Sequence, residues 1–278
     1  MLKPIVAILG LGLLGGSISL VARRKGIATR VVGWSHRDVT RLTALEKGVI
    51  DQSMPTPQEA VAAADFVILC TPVGVMPQLL EMIAPALKPG AIVTDVGSTK
   101  RSVVAAAERL LSVKNPFVGS HPMAGSERSG IAAADENLVQ GRLCILAPNE
   151  RTDPGALVEV EEFWQDLGMR TTRLSPGEHD RLLADVSHLP HLIAAAMVSI
   201  QEDRAMSVAG PGFKDSTRIA AGDAALWRDI FTDNKESVIR SLDRLMATLK
   251  DYRTALQAGD ANRLEAMLNA ASKRRQGL

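Results

Sequence analysis

The stretch IVAILGLGLLGGSISLVARRKG, residues 5–26, constrains the fold more than any other part of the chain. Ile5–Leu9 is a continuous apolar run, the pattern of a parallel strand buried on both faces. It stops at Gly10, and a helix-like pattern then runs to Arg23–Lys25, with Gly26 as its stop. Gly10, Gly12 and Gly15 carry the G-x-G-x-x-G spacing. The first glycine allows a tight turn, the second lets backbone approach a pyrophosphate, and the third lets helix and strand pack closely. Alone, that spacing is weak. Between a strand and a helix it predicts a dinucleotide site built on Gly10, Gly12, Leu13, Leu14 and Gly15. The uncharged run Pro4–Ala22 also resembles a signal peptide or a short membrane span, and Gly12 with Gly16 a membrane-helix packing motif. Its four glycines, and the α/β rhythm that continues beyond it, favour a soluble, cytoplasmic protein.

Further apolar runs at Arg30–Trp34, Phe66–Cys70, Ala91–Thr94, Phe117–Val118, Leu143–Ala147 and Met169–Leu174 read as strands. Val39–Lys47, Val75–Leu87, Arg101–Leu111 and Pro154–Leu167 read as helices between them. This alternation predicts a doubly wound, mostly parallel sheet with helices on both faces. After Pro176 only helices follow, over roughly 178–205, 223–232 and 235–270. The expected organisation is a Rossmann-type α/β domain over 1–174 and an all-α domain over 175–278, divided at Ser175–Pro176–Gly177. The helical part has more apolar face than its length can bury alone, which predicts a homodimer. A net charge of +1 and 3% aromatic residues argue against a nucleic-acid partner. Cys70 and Cys144 lie in apolar runs without CxxC spacing, and read as buried free thiols.

The second strand ends in VVGWSHRD. An NAD site usually places an acid there to bond the ribose 2′-hydroxyl. Ser35, His36 and Arg37 stand there instead, and a hydroxyl with a guanidinium suits a 2′-phosphate. NADP is therefore the expected cofactor, with NAD possible, and Asp38 is expected to cap the next helix.

Ligands of open α/β sheets bind outside the carboxyl ends of the strands. The glycine loop, Ser35–Arg37, Thr71–Pro72, Gly97 with Ser98 and Lys100, and His121 all fall at such ends. His121 sits in GSHPMAGSE, read as a loop, where a near-neutral pKa suits a proton acceptor. His188 and His191 share a helix face, but no further ligand completes a metal set. Pro190 is expected to kink that helix and free a carbonyl near Val186. Trp227 and Phe231 read as core or interface, and Asn234 as the cap of the last helix.

Together GLGLLGGS, IVTDVGSTK, GSHPMAGSE, DENLVQGR, SHLPH and GFKDSTRIA resemble the prephenate/arogenate dehydrogenase family of tyrosine biosynthesis, collinearly from residue 5 to about 234. The resemblance implies a Rossmann domain with a dimerising helical domain. It implies that His121 takes the proton of the substrate's ring hydroxyl while hydride goes to the nicotinamide and carbon dioxide leaves. It implies that Ser98 bonds His121, that Arg218 grips a substrate carboxylate, and that His188, less securely His191, contacts substrate. Lys214 stands where the family commonly has arginine, which keeps the charge but not a bidentate fork. With no regulatory segment after residue 278, feedback by tyrosine would act at the active site. Residues 126–128 and the loop before Arg218 carry the charges that could separate prephenate from arogenate, without deciding between them. The alternatives are a β-hydroxyacid-type reductase, which would use a lysine as acid/base, and a non-enzymatic NADP sensor, which would have no use for His121, Ser98 and Arg218 together.

Overall fold

A computed structural model describes residues 5–126 and 128–277. Eight strands form one sheet: β1 (Ile5–Leu9), β2 (Arg30–Trp34), β3 (Gln52–Ser53), β4 (Phe66–Leu69), β5 (Ile92–Asp95), β6 (Phe117–Pro122), β7 (Leu143–Ala147) and β8 (Arg170–Arg173). Their order is β3-β2-β1-β4-β5-β6-β7-β8. All neighbours are parallel except β6 and β7, where His121 lies opposite Ile145. The period of two along β1 serves two cores. Val6 and Ile8 join one with Ile18, Ile68 and Trp164; Ala7 and Leu9 join the other with Leu80 and Val93. Both sheet faces are thus dry, which is why these strands are continuously apolar.

Helices α1 (Leu13–Arg24), α2 (Asp38–Glu46), α3 (Pro57–Val61), α4 (Met76–Ile83), α5 (Arg101–Leu110) and α6 (Pro154–Asp166) connect the strands. The remainder is helical: α7 (Pro176–Leu183), α8 (Leu189–Ser199), α9 (Asp203–Met206), α10 (Pro211–Thr217), α11 (Ala224–Asp233), α12 (Lys235–Ala258) and α13 (Ala261–Gln276). On α12, Ile239, Met246, Leu249 and Leu256 are each more than half exposed. Their 7-3-7 spacing puts them on one stripe. The run Pro176–Ser199 is apolar and long enough, by composition, to cross a membrane. Its His179, Asp180 and His188 are buried inside the protein.

Several expectations are corrected here. His121 lies within β6, not in a loop after it, because the strand continues through Pro122 to pair with β7. Asp38 does not cap α2: Arg37 holds the cap position and Asp38, inside the first turn, pairs with Arg41 at 2.5 Å. The last long helix stops at Gly259, whose φ of 63° is the left-handed stop favoured by glycine. The stretch 178–205 is broken by a π-helical turn over Ala184–His188. Pro190 follows this turn, in the first turn of α8, where its missing N–H costs little.

Candidate active site

The glycine loop is shaped by contacts that exclude side chains at two positions and leave a third open. Gly10 has φ 115°, and a Cβ there would meet the Cys70 carbonyl at 2.5 Å. A Cβ on Gly15 would lie 2.1 Å from Gly10 O. A Cβ on Gly12 would meet nothing within 4 Å. Gly12 is also the cap residue of α1, and no side chain caps the helix, so the first-turn N–H groups face that space. Thr71 lies beside Gly10, with a buried Oγ1 that lacks a hydrogen-bond partner among the described residues. These features fit a bound dinucleotide: an anion at a helix N-terminus and a polar contact at the end of β4. Pro72 begins the short turn Val73–Val75. That turn abuts α11, and a Cβ on Gly74 would lie 2.9 Å from Asp229 Oδ2. The helical region therefore closes over this edge of the sheet.

His121 lies at the end of β6, two strands along the sheet from β4, and is 7% exposed. Its position is fixed by the residue before it. Ser120 donates its N–H to Asp95 Oδ1 at 3.0 Å, and its hydroxyl accepts from Trp164 Nε1 at 3.0 Å. Lys100 and Asp95 form a fully buried ion pair, and Lys100 Nζ also donates to Ser120 O at 2.8 Å. A buried pair of this kind requires further hydrogen bonds to offset desolvation. Gly97 provides one, donating its N–H to Asp95 Oδ2 at 2.7 Å. Gly97 is thus held against this pair, and a Cβ there would press on Asp95.

His121 Nδ1 lies 2.9 Å from His179 Nε2, and His179 Nδ1 lies 2.8 Å from Asp180 Oδ1. Asp180 accepts in addition the N–H groups of Lys100 and Arg101, at 2.7 and 3.0 Å, at the start of α5. Burial opposes its charge. The hydrogen bonds from His179 and from those two N–H groups nevertheless hold its pKa below the ordinary aspartate value. Burial first, then the fields of His179, Lys100 and His188, push His121 well below the ordinary histidine range. His179 is lowered as well, chiefly by burial. These surroundings favour the uncharged imidazole of His121. The bond expected from Ser98 is not made. Ser98 lies partly exposed in the loop after β5, and His179, arriving on α7, takes the place beside Nδ1.

His188 is nine residues after His179. Nine residues are two and a half α-helical turns, which would put the two on opposite faces. The wider π turn brings His188 back toward the cleft. There Asn234 Nδ2 donates to His188 Nδ1 at 3.2 Å and to the Asp180 carbonyl at 2.7 Å. Asn234 holds the N-cap position of α12 as expected, but its side chain makes no cap bond and orients a histidine instead. His188 Nε2 is buried and without a partner among the described residues. Burial lowers the pKa of His188 to about 4. His191 stacks on Trp227 with ring centroids 3.6 Å apart, so Trp227 serves as a wall of the histidine cluster.

The other expected residues lie further out. Ser35 is buried at the end of β2, while His36 and Arg37 are exposed beside it. Arg41 reaches back to the Ser35 carbonyl at 2.5 Å. Lys214 on α10 and Arg218, opening the turn after it, are exposed on elements that pack against α8. Ser126 and Arg128 are described, whereas Glu127 between them lies outside the described residues. Cys70 and Cys144 are free thiols, their pKa values raised by burial. No metal-binding cluster occurs among the described residues. The residues that sequence reasoning missed are His179, Asp180 and the orienting role of Asn234. The adjacent His–Asp pair at the head of α7 was the available signal.

A dinucleotide cradle and a buried histidine at strand ends of one sheet define a nicotinamide-dependent oxidoreductase. The chain belongs to the prephenate dehydrogenase family. The models for that family's nucleotide-binding and dimerization domains match residues 18–173 and 175–270. The prephenate dehydrogenase of Bacillus subtilis (strain 168) is 35% identical over 285 residues, covering 100% of this chain and 76% of the relative. The cyclohexadienyl dehydrogenase of Zymomonas mobilis is 34% identical over 280 residues, covering 98% and 95%. The crystal structure of prephenate dehydrogenase from A. aeolicus in complex with hydroxyphenyl propionate and NAD+ superposes with a TM-score of 0.92 at 32% identity, covering 98% of this chain and 97% of that one.

Proposed function

We propose that this protein oxidatively decarboxylates prephenate, arogenate or both, for tyrosine biosynthesis, with His121 as the base. The observation that carries the reading is His121 itself. It is buried at the end of β6, on the same sheet as the glycine loop, with Nδ1 engaged by His179, Nε2 left for substrate and a pKa held below the ordinary range by burial. In this reading His121 Nε2 takes the proton of the ring hydroxyl. When bound, the nicotinamide accepts hydride from the same carbon. The bond to the ring carboxylate then breaks and carbon dioxide leaves. Its electron pair aromatises the ring and turns the new carbonyl into a phenolate, to which His121 returns the proton. His188, a donor at Nε2 because Asn234 occupies Nδ1, meets the substrate. Arg218, aided by Lys214, binds a carboxylate. Ser98 lines the nicotinamide side.

NADP is the preferred cofactor in this proposal, since the end of β2 offers Ser35, His36 and Arg37 and no carboxylate until Asp38, which Arg41 engages. The exposed stripe on α12 supports a homodimer, and we take the enzyme to be cytoplasmic. The test is an assay of purified protein with prephenate and with arogenate, each with NADP and with NAD. Turnover on at least one pairing is expected, and His121→Asn should lower it by about 10²–10⁴-fold, the usual contribution of a general base. A folded His121→Asn protein with full activity would remove His121 from the reaction.

A further inference from the structure

His121 can act as a base toward substrate only if its proton sits on Nδ1 and Nε2 is bare. An unconstrained imidazole favours the opposite tautomer, with the proton on Nε2. Something must therefore set the tautomer, and the neighbouring contacts determine it from the far end inward.

Asp180 carries two backbone N–H groups, from Lys100 and Arg101, at the N-terminus of α5, where a helix favours negative charge. As a carboxylate it is an acceptor only. The nitrogen 2.8 Å away, His179 Nδ1, must then be the donor. A neutral His179 with its proton on Nδ1 has a lone pair on Nε2. Across the 2.9 Å contact His179 Nε2 is thus the acceptor, and His121 Nδ1 must donate. His121 Nε2 is left bare. His179 and Asp180 are 0% and 2% exposed, so water does not compete for these bonds.

We infer that His179 and Asp180 are positioning residues of the reaction: they hold the proton of His121 on Nδ1 and so keep Nε2 available as the base. When Nε2 takes the substrate's proton, the Nδ1–H bond to His179 becomes charge-assisted, and the Asp180 carboxylate stands behind it. The titratable groups around the ring are Asp95 from the end of β5, Lys100 from the head of α5, His179 and Asp180 from α7, and His188 from the π turn. Asp95 and Lys100 are paired with each other. Asp180 is therefore the carboxylate in line to balance an imidazolium at His121.

The inference rests on His121 being the base, and its test separates the two. The full-length chain has five histidines, few enough for ¹⁵N assignment of each ring. In the wild-type protein the His121 resonances should report a protonated Nδ1 and a bare Nε2. A wild-type His121 with its proton on Nε2 overturns the inference by itself. His179→Leu removes the acceptor, and Asp180→Asn removes the fixed carboxylate. Each should move the His121 proton toward Nε2. Each should lower kcat with prephenate by about 10²-fold, less than the ~10⁴ of a triad whose orienting aspartate is lost, while KM stays within about threefold. His179→Gln can return an amide oxygen near the Nε2 position and should recover most of the rate. If His121→Asn is inactive but His179→Leu keeps wild-type kcat and the wild-type His121 tautomer, the positioning role is wrong. If His121→Asn is fully active, the base assignment fails first.

Discussion

In the proposed reading, cofactor choice turns on Arg37. An arginine where an acid is customary was legible from spacing, and Arg37 does stand exposed at the end of β2. Arg37→Asp should raise KM for NADP about tenfold or more, the scale of one charge-assisted bond, and leave NAD nearly unchanged. Equal loss with both cofactors would remove Arg37 from the 2′-phosphate. Asp38 and Asn234 show the limit. Each looks like a helix cap in one dimension, because caps are defined by local sequence. Asn234 instead answers to partners 54 and 46 residues away, Asp180 and His188, which no local pattern reveals. His121 was found from the strand-end pattern and the family motif. Its partner His179 was not, since it arrives from a helix 58 residues further on.

At the scale of elements, the opening β1–loop–α1 unit was the most legible part, because its glycine spacing and its switch from strand to helix pattern are both local. Its glycines differ in what they meet. Gly15→Ala forces a Cβ against the Gly10 carbonyl and should lower Tm by several degrees, from an overpacking cost of about 1–3 kcal/mol. Gly12→Ala meets open space in the protein. It should leave Tm unchanged and weaken cofactor binding at least tenfold, measured by titration calorimetry. Wild-type cofactor affinity in Gly12→Ala would mean that the pyrophosphate lies elsewhere. The helical elements were harder to read. A proline near position 190 announces a break, but periodicity does not say whether the helix kinks, frays or widens. Here it widens over Ala184–His188, which turns His188 away from the face opposite His179.

At the scale of the whole molecule, four buried histidines make stability depend on pH. Burial holds His121, His179, His188 and His191 below the ordinary 6.5 in the folded protein. Below 6.5 the unfolded chain binds more protons than the folded one, so stability is intact above that pH and is lost as pH falls through about 4. For His188 the interval corresponds to about 3 kcal/mol. Tm should be flat near pH 7–8 and fall between about 6.5 and 4, with a smaller fall in His188→Gln. A flat Tm across that range would mean that these histidines accept protons without cost. The alternation of strand and helix made the α/β half legible, but the way the helical half folds back onto the sheet was not, since it depends on contacts such as Asp180 with the head of α5. That contact has a consequence for exchanging parts between relatives. His121, the proposed base, belongs to β6 and the pair beside it to α7, so a chimera that joins this α/β half to another helical half inherits the two from different parents. Such hybrids can fold and bind cofactor yet turn over slowly, and restoring the adjacent His–Asp pair at the head of the grafted first helix is the smallest repair.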